Sequence, residues 1–166
     1  MDEAAAAVAI AARYRGRVLA PDQVVGAAVD LLTRSRRPPE ALVELVSLPA
    51  SGNRAADVEP LLARLLAACA AEPPDDDAVA RQLCADVAGD VVAGARSAIG
   101  GAEALWWIGR RFGDPFEVLG EIGQLIDGWE SDLAGRAGLE EEIRRVAGRV
   151  AAAVRSGRYR TVRRNS

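Results

Sequence analysis

Residues 139–154 read Leu-Glu-Glu-Glu-Ile-Arg-Arg-Val-Ala-Gly-Arg-Val-Ala-Ala-Ala-Val. Leu139, Ile143, Val146, Val150 and Val154 recur at steps of three and four, which stacks side chains on one face of an α-helix. Glu140, Glu141 and Glu142 come first, and Arg144, Arg145, Arg149 and Arg155 follow. The spacing predicts a helix with an acidic first turn, complementary to its dipole, and Glu-to-Arg pairs one turn apart.

The same periodicity extends outward through the chain. Helices are expected from Glu3 to Arg15 and after Pro21-Asp22, the latter carrying Val25, Ala28, Val29 and Leu32. Pro38-Pro39 opens a third with Leu42, Leu45 and Val46. A fourth uses Val58, Leu62, Leu65 and Cys69, with Pro60 placed in its first turn, where a missing N–H costs nothing. A fifth carries Val79, Leu83, Val87 and Val91; Gly100-Gly101 breaks the chain before a sixth with Leu105, Trp106, Ile108 and Phe112. Gly113-Asp114-Pro115 turns into a seventh with Phe116, Leu119, Ile122 and Ile126. Asp127-Gly128-Trp129-Glu130-Ser131-Asp132 then reads as a polar loop before the final helix. No segment alternates with period two. The fold class is therefore all-α, a compact array of seven or eight helices.

Glu72-Pro73-Pro74-Asp75-Asp76-Asp77 is the strongest linker signal. It divides the chain into an N-terminal helical half (1–71), a linker (72–77), a C-terminal helical half (78–155) and a basic tail (156–166). Residues 39–45 echo 116–122, and Val58, Leu62, Leu65 and Cys69 echo Leu139, Ile143, Val146 and Val150. Two stacked four-helix repeats account for the echo, as does chance alignment of amphipathic helices.

Composition excludes much chemistry. All 21 basic residues of the 166 are arginine, with no lysine and no histidine. A Ser-His-Asp triad, a Cys-His dyad, histidine metal ligation, a Walker A lysine and a Schiff base are thus all unavailable. Cys69 and Cys84 fall at apolar helix positions and read as reduced core thiols. The acidic start and the shortness of the apolar run Ala4 to Ala12 lead to an expectation of a cytoplasmic protein without a membrane span.

Charge is uneven along the chain. Residues 72–142 hold 16 acidic residues against 5 arginines, a balance of −11; residues 143–166 hold 8 arginines and no acid. The acidic stretch either attracts a basic partner or is a solvated face. The tail residues Arg155, Arg158, Arg160, Arg163 and Arg164 offer a nucleic-acid or membrane contact, or fold back on the acids.

In Trp106-Trp107, one ring is expected to face the core and Trp107 to lie at the margin, available to a partner. Trp129, flanked by Asp127, Glu130 and Asp132, reads as a loop anchor ringed by carboxylates. Glu40/Glu44 and Glu117/Glu121 stand one turn apart, the spacing of carboxylates that hold a divalent ion, but no further converging acids can be placed. No catalytic, metal-ligating or cofactor-binding residue is assigned.

Residues 91–94 (Val-Val-Ala-Gly), 101–106 (Gly-Ala-Glu-Ala-Leu-Trp) and 126–131 (Ile-Asp-Gly-Trp-Glu-Ser) resemble a pattern in small uncharacterised helical proteins of actinobacteria. Some of those are similar to immunity proteins of bacterial toxin systems. The resemblance covers about the last 80 residues, and the long N-terminal half and Arg-rich tail depart from it. It implies stoichiometric binding without catalysis. The expectation is a non-enzymatic protein-binding module, an acidic immunity-type protein neutralising a basic partner. The alternatives are a nucleic-acid-associated regulator using the tail and a metal-dependent helical hydrolase.

Overall fold

The computed structural model describes residues 2–157, which form eight α-helices and no strand. Among them, no helix is long and apolar enough to cross a membrane. The chain divides into two compact units, one ending at Asp75 and the other beginning at Asp76.

The first unit holds α1 (Glu3–Arg15), α2 (Pro21–Leu32), α3 (Glu40–Val46) and α4 (Ala55–Ala68). Local chemistry sets the helix starts. Asp2 accepts the Ala4 amide at 3.1 Å. Pro21 occupies the first turn of α2, and the Ala20 amide donates to Gln23 Oε1 at 2.7 Å. The Asp22 carboxylate accepts the amides of Gly52 and Asn53, which holds the loop before α4 and keeps its pKa below the usual carboxylate range. The core joins Ile10, Val24, Ala28, Leu31, Leu42, Leu45, Val58, Leu62 and Leu65. On α2 the inward positions are Val24, Val25, Ala28 and Leu31, whereas Val29, expected inside, is 40% exposed. The inward stripe runs one position earlier than the spacing suggested, through the Val24, Ala28 and Leu31 that join the shared core.

Pro60 corrects a second expectation. The Arg54 amide donates to Asp57 Oδ2 at 2.8 Å, so α4 starts at Ala55 and Pro60 falls in its second turn. The site is exposed, so the carbonyl left without its amide donor faces water. Glu72 to Asp75 lead on to α5; Arg15 donates to the carbonyl of the buried Pro74.

The second unit holds α5 (Asp76–Val92), α6 (Ala98–Phe112), α7 (Leu119–Ser131) and α8 (Arg136–Ser156). Asp76 and Asp77, expected in the linker, form the first turn of α5. Its core combines Val79, Leu83, Cys84 and Val91 with Leu105, Ile108, Ile122, Leu125, Ile143, Val146 and Val150.

Three readings of the sequence change here. Gly100 and Gly101 lie inside α6, which Ser97 caps, and the chain instead turns at Gly94, whose φ of +73° suits glycine. A Cβ on Gly101 would lie 2.1 Å from Val91 Cγ2, so glycine is there for the close approach of α6 to α5. Residues 127–131 are not a loop but the last turns of α7, whose backbone continues to Ser131. The end of α8 nearest α7 begins at Arg136, so Glu140, Glu141 and Glu142 sit beyond its first turn and act through arginines rather than the dipole. Glu140 meets Arg144 at 2.6 Å, and Glu142 pairs with Arg145.

The two units share one packing scheme. In each, consecutive helices pack together, and the first and second helices both pack on the fourth. The first–third pairing is missing from both among the described residues. The sequence echo falls on α3 against the start of α7 and on α4 against α8, helices of equal rank in the two units.

Candidate functional site

Helix α6 turns Ala98, Gly101, Ala102, Leu105 and Ile108 inward. That stripe is complete without tryptophan. Trp106 and Trp107 consequently both lie outside it, 41% and 46% exposed, and neither is the core residue expected of one of them. The apolar 3–4 spacing of the small residues was the sequence signal that could have shown this.

Both rings have close neighbours. Trp106 lies beside Gly123 of α7; a Cβ there would sit 3.7 Å from the indole Nε1, an ordinary van der Waals distance. The Arg110 guanidinium lies 5.7 Å from the centre of the Trp106 ring. Arg111 lies 5.1 Å from Trp107 and 5.2 Å from Phe112, and Trp107 meets Phe112 edge-on at 6.1 Å. Each guanidinium carbon is within the reach of a cation–π contact, about 6 Å from the ring centre. Among the described residues no ion pair reaches Arg110 or Arg111. The nearby Asp114 has turned its carboxylate onto the amides of Val118 and Leu119, at 3.1 and 2.8 Å. Arg110 and Arg111 are the part of this surface that motif reading missed, although their spacing of three and four residues from the tryptophans was legible.

Trp129 is placed differently from expectation. It is half-buried on α7, its ring covered by Arg136 at 5.1 Å, and Arg136 Nε also donates to the Trp129 carbonyl at 3.1 Å. Asp132 ends α7 and accepts the amides of Ala134 and Gly135. Of the expected carboxylate ring, Asp127 and Glu130 remain exposed on α7, at four and seven residues from Gly123 and so on the stripe that meets Trp106.

The other sequence candidates resolve into ion pairs. Arg64 takes both oxygens of Glu44 at 2.7 Å, which holds that carboxyl below its ordinary range. Glu121 pairs with Arg149 of α8, so part of the charge separated along the chain is joined within this unit. Among the described residues no three metal-ligating side chains converge. Arg155 is exposed near the end of α8; Arg158, Arg160, Arg163 and Arg164 lie outside the described residues.

Cys84 is buried, and loss of solvent, then the charge of Asp114, pushes its thiol up to about 12. Cys69 caps the end of α4, half-buried, its pKa also raised by desolvation. Both shifts disfavour the thiolate, the reactive form of cysteine. In the first unit, a cleft of about 570 Å³ is lined by Tyr14, Arg17, Val18 and Glu59 among others. There the Tyr14 hydroxyl donates to Glu59 at 3.0 Å, and burial followed by that bond raises the phenol pKa.

The chain matches no family model, no curated protein and no solved structure.

Proposed function

We propose that the chain is a non-enzymatic protein-binding module that works through the outer face of α6. One observation carries this reading: two adjacent tryptophans stay 41% and 46% exposed, with Arg110 beside one ring and Arg111 and Phe112 beside the other. Tryptophan and arginine dominate the energetics of many protein interfaces, tryptophan because it buries a large ring with few torsions to fix, arginine because its planar charge stacks on aromatic faces and pairs with carboxylates. Contacts that bias the rings toward one position reduce that ordering cost. An immunity-type blocker of a basic protein is one form of such a module. Asp127 and Glu130, beside the aromatic face, are the acids that such a partner would meet.

The test is quantitative capture of partners from the source organism by the native chain and by Trp106→Ala/Trp107→Ala. A stoichiometric partner held by the native chain should bind the variant at least about 30-fold more weakly, the effect of losing a hot spot. Circular dichroism should be unchanged, because neither ring belongs to the core. Equal retention of every partner by a folded variant would remove this face as the binding surface.

A further inference from the structure

Charge along the aromatic face is arranged head to tail. On α6, Glu103 stands three and four residues before the tryptophans, and Arg110 stands four and three residues after them. All four therefore share one helix face, with Glu103 and Arg110 about 10 Å apart along the axis. Helix α7 runs back beside α6: Leu119 packs at Gly109, and Gly123 at Trp106. The stripe that starts at Gly123 continues to Asp127 and Glu130, away from the arginines. The α6–α7 surface thus has a basic end (Arg110, Arg111), an aromatic middle (Trp106, Trp107) and an acidic end (Glu103, Asp127, Glu130). Glu103, Asp127 and Glu130 enter no ion pair among the described residues, and neither do the two arginines.

Such a surface is complementary to itself. A two-fold axis lying in the plane of the interface, perpendicular to α6 and passing between the tryptophans, lays the basic end of one copy on the acidic end of the other and stacks aromatic on aromatic. Isologous pairing requires this property, and a patch of uniform charge lacks it. We infer that the α6–α7 face binds a second copy of this chain, antiparallel, with Arg110 and Arg111 of each copy meeting Asp127 and Glu130 of the other. This rests on the protein-binding reading of α6 and names its occupant. The face spans about 20 Å along 15-residue α6, the small end of specific interfaces, which suits a reversible rather than a permanent pair.

Sedimentation of the full chain tests the pairing. The native chain should pass from monomer to dimer across the micromolar range, and salt should weaken the dimer. Arg110→Glu/Arg111→Glu should weaken it at least about 30-fold, because like charges then face each other. Asp127→Arg/Glu130→Arg should do the same. Mixing the two reversed variants should restore a dimer containing one of each, since both ends are again opposite in sign. A native chain monomeric at several hundred micromolar overturns the inference. So does a reversed variant that still pairs with itself, or two folded reversed variants that fail to pair when mixed. A monomeric native chain leaves the protein-binding reading to the capture experiment, which fails on its own terms if the tryptophan variant keeps its partners.

Discussion

At Gly101 the fold depends on the absence of a side chain. A Cβ would lie 2.1 Å from Val91 Cγ2, a separation that no small adjustment of a valine methyl relieves, because Val91 is itself 2% exposed in the core. Alanine favours a helix over glycine by up to about 1 kcal/mol, but overpacking costs about 1–3 kcal/mol and wins. Gly101→Ala should therefore lower stability in urea unfolding. Adding Val91→Ala should cost less than the sum of the two single changes, because the clash is gone. A neutral or stabilising Gly101→Ala would show that α5 and α6 are not in close contact here. The tryptophans teach the complementary lesson at the same scale. Their size suggested a core role for one of them, but the helix had already filled its inward line with Ala98, Gly101, Ala102, Leu105 and Ile108. Which side of a helix faces inward follows from all its residues together, and the largest one does not decide it.

Elements are bounded by hydrogen bonds that short motifs only partly reveal. The connection between α6 and α7 is fixed by Asp114, whose two oxygens take the amides of Val118 and Leu119. Those amides begin a helix and have no partner within it. Asp114→Ala should destabilise the second unit by about 1 kcal/mol, the usual cost of losing a cap, while Asp114→Asn should recover much of it. Equal stability of the alanine variant in thermal unfolding would mean that water replaces the carboxylate without loss. The same kind of bond explains two misplaced boundaries. The Arg54 amide bonded to Asp57 starts α4 early enough to carry Pro60 into its second turn. At the end of α7, Ser131 donates back to the Asp127 carbonyl at 2.7 Å, within a turn whose Asp, Gly and Ser had suggested a loop. Turn-forming residues were legible; whether each sits inside a helix or beyond it depended on partners that composition does not name.

Each unit carries its own apolar core and its own set of helix pairings. Residues 1–75 expressed alone should therefore give a cooperative, helical unfolding transition, at a modest stability suited to so short a chain. A non-cooperative or unfolded fragment would show that the first unit cannot stand by itself. The shared pairing scheme gives the sequence echo a structural counterpart, with α3 and α4 taking the places that α7 and α8 take in the second unit. Helical spacing, the proline pair at 73–74 and the absence of histidine and lysine were sufficient for the all-α class and for much of the excluded chemistry, because periodicity and composition are properties of the chain read locally. What only tertiary structure decided is which charges and rings remain on the surface. Glu121 is neutralised by Arg149, Trp129 is covered by Arg136, and Trp106, Trp107, Arg110 and Arg111 stay outward. These outcomes depend on the distance between residues of different helices, and no local reading of the chain contains that distance.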